Sequence, residues 1–200
     1  MMPIFYKLGN SWPDGFASVI IHPAPGFYTN PLDVYKGLCG PDYVRNFRVT
    51  DYHPGHCPDV FPNNSSWLIV SPRGRAVFEA AGGQIGAFFT SITDLSGENT
   101  PSVLEGYSLA SASHVFDCLD LTSPNLTWFD PSQKLVKVSY GKLPLLVGKI
   151  PEGANFFGVK RDPSIYVVSA KLRQSILDAE LSGIRFEECQ SSVSATPSVS

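Results

Sequence analysis

Residues 67–71 read WLIVS and residues 165–169 read IYVVS, two short apolar runs that each end in a serine. PRGRAVFEAAGG follows the first run, and AKLRQSILDAELSG follows the second. Each of these segments is typical of a helix, because a serine that caps free backbone N–H groups precedes it and a glycine follows it. The pattern therefore predicts two helices, capped by Ser71 and Ser169.

A further apolar run comes after each predicted helix, IGAFF in the first copy and IRFEE in the second. Phe88 and Phe186 each lie 17 residues after the capping serine of their copy. This order predicts a strand–helix–strand unit that occurs twice, over residues 67–88 and 165–186. The expected fold class is α+β, a mixed and mostly antiparallel sheet with a few short helices, built around the two related units.

The remainder of the chain is rich in turn-forming residues, with 17 glycines and 17 prolines. Such a composition favours short strands and long ordered loops around one compact body. The expected regions are a β-rich N-terminal part (1–66), the first unit with a bridging loop (67–113), the second unit with the strands before it (114–189) and a disordered polar tail (190–200).

Charge and hydropathy argue against several classes of function. The net charge is −3 and no run of basic residues occurs, whereas phosphate binding needs a clustered basic surface. No segment approaches the ~20 apolar residues of a membrane helix, and the N-terminus lacks the pattern of a secretory signal. We therefore expect a cytoplasmic protein, a monomer or weak dimer, with no nucleic-acid partner, no membrane partner and no cofactor.

The four cysteines, Cys39, Cys57, Cys118 and Cys189, are widely separated along the chain. Thiols in a reducing compartment rarely form disulfides. We expect all four to be free and partly buried.

One ligand-like cluster occurs, the HPGHC segment with His53, His56 and Cys57, to which Asp59 would add a fourth ligand. A small metal-dependent enzyme would use this loop. The spacing fits structural zinc motifs poorly, and the intervening Pro-Gly favours an ordered turn. The sequence therefore predicts no metal site here, and the metal-dependent enzyme stays as an alternative.

Asp117 and Asp120 are two carboxylates three residues apart, and His114 stands near them. General acid–base catalysis needs two carboxyls with separated pKa values in a cleft, which nothing in the pattern indicates. We expect surface or capping roles for both. The serines before the two predicted helices are explained as caps, so the sequence predicts no catalytic residue.

The second half of the chain resembles immunity protein family 11 of bacterial polymorphic-toxin systems. The resemblance covers about residues 114–188, and its main features are the segment from Asp117 to Ser123, KIP at 149–151, FF at 156–157, the VVS before the second helix, and GIRF at 183–186. It implies a non-enzymatic cytoplasmic protein that binds a cognate toxin or effector, often a nuclease encoded beside it and delivered by contact-dependent secretion such as type VI. A secretion-system adaptor is a further alternative.

A nuclease holds a polyanion, so an inhibitor that blocks its basic cleft is expected to present carboxylates and a few aromatic side chains. Asp94, Glu98 and Glu105 gather in the bridging loop and are the predicted partner-binding residues. Some aromatic side chains in loop-like surroundings are candidate surface anchors, because binding hot spots favour tryptophan and tyrosine: Trp12, Tyr28, Tyr35, Tyr43, Tyr52 and Trp128.

Lys171 and Arg173 fall in the first turn of the second predicted helix, where the helix dipole disfavours cations. Two interpretations stay open for this pair. They face either an acidic partner or solvent.

Overall fold

A computed structural model of the chain describes residues 2–11, 20–23, 47–50, 58–61, 68–80, 85–88, 107–112, 114–132, 134–138 and 141–193. The strands within these residues are β1 (Phe5–Asn10), β2 (Ile20–Pro23), β3 (Phe47–Thr50), β4 (Val60–Phe61), β5 (Leu68–Val70), β6 (Ile85–Phe88), β7 (Ser108–Ala112), β8 (Val115–Phe116), β9 (Leu126–Asp130), β10 (Leu135–Val138), β11 (Pro144–Leu146), β12 (Phe156–Val159), β13 (Asp162–Ser169), β14 (Ile184–Glu188) and β15 (Gln190–Ser192). The helices are α1 (Pro72–Ala80) and α2 (Ala170–Asp178), with a 3-10 turn at Val147–Lys149.

Two sheets carry most of this structure. The larger has the order β14-β1-β13-β12-β8 and is antiparallel except for its last pair, and the smaller has the order β4-β5-β7-β6 and is antiparallel throughout. Three further pairs form: β9 with β10 and β2 with β3 antiparallel, and β11 with β15 parallel. The predicted α+β class, with mixed and mostly antiparallel sheets, is confirmed.

The predicted duplication is also confirmed, and it is larger than the sequence indicated. Both copies contain a strand, a helix and a strand, as β5-α1-β6 and β13-α2-β14. An additional strand precedes each copy and pairs with its first strand, β4 in one case and β12 in the other. The sheet orders β4-β5-β7-β6 and β12-β13-β1-β14 therefore correspond, with the N-terminal strand β1 in the place that β7 has in the first copy.

The strand register corrects one detail of the sequence comparison. In the smaller sheet Leu109 pairs with both Ile69 and Phe88, and in the larger sheet Lys7 pairs with both Val167 and Glu187. Ile69 and Val167 both lie two residues before the capping serine, so Phe88 corresponds to Glu187. The equal 17-residue spacing of Phe88 and Phe186 is thus off by one residue, because the connection after α2 is one residue longer than that after α1.

The two caps are equivalent in detail. Ser71 Oγ accepts from the Gly74 backbone N–H at 3.0 Å, and Ser169 Oγ accepts from the Leu172 backbone N–H at 3.2 Å. Each serine hydroxyl also donates to a side chain just before the additional strand, to Asp59 Oδ1 at 3.0 Å and to Asn155 Oδ1 at 2.7 Å.

The backbone repeats the same link. The amide of Ser71 donates to the carbonyl of Asp59 at 2.8 Å, and that of Ser169 donates to the carbonyl of Asn155 at 2.9 Å. Each helix is therefore held at its start by the residue that opens the neighbouring strand.

The larger sheet separates two apolar cores, because successive side chains of a strand point to opposite faces. Phe156 and Val168 belong to the core that α1 and α2 complete, through Phe78 and Ile176. Their neighbours on the same strands, Phe157 and Val167, belong to a second core. The segments from Phe116 to Ile150 supply much of that second core, which fixes their position on the sheet.

The disordered tail predicted over 190–200 is wrong at its start, where Gln190–Ser192 form β15 beside β11. Ser192 Oγ donates to Asp120 Oδ2 at 3.0 Å, and backbone pairing needs no apolar side chains, so the small polar composition gave no signal of this strand. Residues 194–200 lie outside the described residues. In the described part of the chain, no helix has the length and hydropathy needed to cross a membrane.

Candidate partner-binding surface

The hairpin of β9 and β10 carries an irregularity in its pairing. Trp128 pairs with Val136, but the next pair along the hairpin is Asp130 with Leu135. Phe129 is therefore an additional residue on β9, which makes a β-bulge. Bulges of this kind change the direction of a side chain and often occur at functional edges.

Both aromatic side chains at the bulge reach solvent. Trp128 is 53% exposed and Phe129 is 73% exposed, the highest value among the exposed large hydrophobic side chains of the described residues. A single exposed apolar residue is ordinary, whereas two adjacent exposed aromatic rings form a surface that another protein can bury. Trp128 is one of the six aromatic residues that the sequence offered as possible anchors. Phe129 was missed, because a bulge leaves no mark in the periodicity.

Opposite the bulge, strand β10 is attached to the rest of the protein. Val136 is buried in the second core, and its backbone N–H donates to the carbonyl of Arg161 at 3.0 Å. Arg161 donates to both oxygens of Asp117, from Nε at 2.7 Å and from the terminal nitrogen at 3.0 Å. Two parallel hydrogen bonds between a guanidinium and a carboxylate fix both groups, so the exposed rings stand on a rigid support.

A second surface feature lies at the start of α2. The guanidinium carbon of Arg173 lies 4.7 Å from the ring centroid of Tyr6 and 5.5 Å from that of Phe186. These two rings come from neighbouring strands, β1 and β14, and meet edge to face at 6.5 Å. The buried Nε atom of Arg173 has no hydrogen-bond partner.

The predicted partner-binding residues Asp94, Glu98 and Glu105 lie outside the described residues.

His53, His56 and Cys57 also lie outside the described residues, but Asp59 does not. Its Oδ1 accepts from Ser71 Oγ, and its Oδ2 accepts from the Ser182 backbone N–H at 3.0 Å and from Ser182 Oγ at 3.2 Å. Both carboxylate oxygens thus serve the packing of the two units rather than a metal. In the part of the chain described, no group of three His, Cys, Asp or Glu side chains is arranged to hold a metal ion.

The carboxylates of Asp117 and Asp120 have separate structural partners. Asp117 binds Arg161, as described above, and Asp120 accepts from Thr122 Oγ1 at 2.6 Å and from Ser192. The pKa of Asp120 is lowered, chiefly by the Thr122 hydroxyl. Asp120 has the capping role expected for it, since its carboxylate also accepts from the Thr122 backbone N–H, whereas Asp117 is half-buried in an ion pair.

The depression nearest to His114 has a volume of about 240 Å³ and is lined by that imidazole, Phe116 and the turn from Pro151 to Asn155. Glu152 is the single carboxylate in its lining. One imidazole and one carboxylate without a nucleophile do not make a catalytic set, so we assign it no reaction.

Cys118 and Cys189 are free and buried, as expected, whereas Cys39 and Cys57 are outside the described residues. Burial raises the pKa of both described thiols to about 12. A thiol with such a pKa is almost entirely protonated near neutral pH, so neither is a candidate nucleophile.

The sequence matches the model of a known protein family. The model of the Immunity protein family (Imm11) matches residues 11–191, which is most of the chain. The match extends well beyond residues 114–188 and includes the N-terminal region. No curated protein matches the chain at a significant level. The chain therefore belongs to the Immunity protein family (Imm11).

Proposed function

We propose that this protein protects a bacterial cell from a cognate toxin by binding the toxin stoichiometrically and covering its active site or substrate path. Membership of the immunity family carries this proposal. The proposed role is that of a non-enzymatic inhibitor in the cytoplasm, and the toxin is an effector delivered by contact-dependent secretion such as type VI.

The exposed aromatic pair supports a protein partner. Trp128 and Phe129 are mostly in solvent while the hairpin beneath them is fixed by Val136 and the Arg161–Asp117 ion pair. Burial of a large apolar side chain contributes about 1.5–3 kcal/mol. A backbone that is already held in place does not have to be ordered when the partner binds. In this proposal the pair is the apolar anchor of the complex.

The acidic loop would supply the electrostatic part of the same interface. Asp94, Glu98 and Glu105 are three carboxylates within twelve residues, and the active cleft of a nuclease toxin is basic because it holds a polyanion. Opposite charges on the two surfaces speed the encounter of the proteins. We therefore propose a nuclease as the toxin class, with occlusion of its cleft as the mechanism.

The aromatic anchor is tested by the double substitution Trp128→Ala and Phe129→Ala. Against the toxin encoded by the neighbouring gene, we expect the Kd to rise by about 1,000-fold, since each of the two truncated hot-spot rings costs roughly 2 kcal/mol or more. Because the affinity is lower, the variant should also rescue the growth of toxin-expressing cells less well than the wild type. Calorimetry measures the affinity, and circular dichroism checks that the variant is folded.

Leu121→Ala is the matched control, because Leu121 is also an exposed apolar residue, at 42%. It should leave affinity and growth rescue unchanged. A double variant that binds and protects as well as the wild type would exclude the hairpin from the interface.

A further inference from the structure

Arg173 has an internal control in the first unit, because the duplication gives every residue of α2 a counterpart in α1. Counted from the capping serines, Arg173 corresponds to Arg75. The neighbouring positions confirm this match, since Phe78 and its counterpart Ile176 are both buried. The two arginines can therefore be compared directly.

Arg75 has a carboxylate partner within its own helix. Its Nε donates to Glu79 Oε1 at 2.8 Å, one helical turn further along. The counterpart of Glu79 in α2 is Leu177, which is 43% exposed. Both units therefore have an arginine at this position, but the second unit has the exposed Leu177 where the first has Glu79.

No acceptor replaces the missing acid in the described part of the chain. Arg173 forms no ion pair there, and its buried Nε has no hydrogen-bond partner. The guanidinium group has five N–H donors in a fixed plane and accepts none itself. It lies against the rings of Tyr6 and Phe186, which hold that plane in place before any partner arrives.

The position of Arg173 is also electrostatically unfavourable in the isolated protein. It is the fourth residue of α2, whose first turn contains no acidic residue, and Lys171 lies in the same turn. The partial positive charge at a helix start repels both cations and attracts an anion. A bound carboxylate would relieve this repulsion and accept from the terminal N–H groups of Arg173, which are not among its buried atoms, whereas the buried Nε lies out of reach of a partner.

We infer that Arg173 is the docking point for a carboxylate side chain of the cognate toxin, with Leu177 as the apolar contact beside it. A carboxylate matches the guanidinium plane with two parallel hydrogen bonds, which a lysine cannot make. The inference rests on the proposed function, because it names the chemistry of that partner.

The test measures, by calorimetry at about 0.15 M salt, binding of the toxin encoded by the neighbouring gene. Arg173→Gln should raise the Kd by about 30-fold or more, because it removes one side of a buried charge pair. Arg173→Lys should not restore the affinity, since it lacks the planar fork. Lys171→Gln, which removes a cation from the same turn, should change the Kd by less than about threefold.

A second variant tests the comparison with Arg75 and Glu79 of the first unit. Leu177→Glu reproduces the Arg75–Glu79 arrangement and places a second carboxylate where that of the toxin would bind. Repulsion between the two carboxylates should make binding at least about tenfold weaker than to Leu177→Gln. Thermal unfolding of free Arg173→Gln should stay within about 4 °C of the wild type, because the isolated protein gains little from this cation.

The outcomes separate the inference from the proposed function. Wild-type protein that binds the toxin, with Arg173→Gln binding within about threefold of it, would overturn the inference alone. An equal loss in Lys171→Gln would also overturn it, because net charge would then explain the effect. Failure of the wild type to bind would refute the proposed function, and the inference with it.

Discussion

Gly183 lies where the segment after α2 meets the strand β4 of the other unit. Its φ is +83°, and a Cβ atom at this position would overlap the carbonyl oxygen of Val60. The hydrogen bonds from Val60 N–H to the Ser182 carbonyl and from Ser11 N–H to the Gly183 carbonyl, both 3.0 Å, fix this contact. Glycine is required here both for the backbone angle and for the close approach.

Gly183→Ala should therefore lower the free energy of unfolding by roughly 3–5 kcal/mol, which combines left-handed strain with displacement of packed backbone. Gly153→Ala is the matched control, because Gly153 has φ +80° but nothing within 4 Å of its added Cβ. That variant should lose only about 1 kcal/mol. Urea denaturation measures both, and equal losses would mean that the contact with Val60 contributes nothing.

Single residues also mark the limit of the sequence-based prediction. Ser71 and Ser169 could be predicted as caps, because capping depends on local sequence. The partner of each cap, Asp59 or Asn155, lies 12 or 14 residues earlier and is brought close only by strand pairing. From the sequence alone, Asp59 is therefore a possible metal ligand, whereas in the structure its carboxylate joins the two units through Ser71 and Ser182.

At the scale of elements, the strand–helix–strand units were predictable because each is local and strongly patterned. One strand of the hairpin β9–β10 could be predicted, because residues 133–140 alternate as a strand does. The other could not, because residues 114–130 fit a strand or a helix equally well and the bulge at Phe129 depends on pairing. The β11–β15 pair joins segments more than forty residues apart, and its short polar strand carries no hydrophobic alternation.

The bridging loop that carries Asp94, Glu98 and Glu105 is the element with the clearest charge prediction. Substitution of all three by lysine should raise the Kd for the toxin by well over tenfold, because interfacial charges left without their partners cost about 2–5 kcal/mol each. Calorimetry at two salt concentrations measures this loss, which should shrink as ionic strength rises. The corresponding amides, Asp94→Asn, Glu98→Gln and Glu105→Gln, are the control and should show an intermediate loss. Unchanged affinity in the lysine variant, with the fold preserved, would move the interface elsewhere.

Within the described residues, two related sheets carry most of the structure, and their strands come from the chain in different orders. The first unit is completed by β7, which follows it, and the second by β1, from the opposite end of the chain. The two helices share one core, and Asp59 of one unit binds Ser182 of the other. In such mutual completion each unit supports the other, and supported scaffolds of this kind present a preformed surface to a protein partner.

Inhibition by occupation of the toxin is tested by titrating the purified neighbouring toxin with this protein at a toxin concentration far above the Kd, with toxin activity as the readout. We expect a linear fall in activity that reaches zero at one equivalent, since an occluding inhibitor acts once per toxin molecule. Complete inactivation by a few hundredths of an equivalent would show turnover and would contradict stoichiometric occlusion.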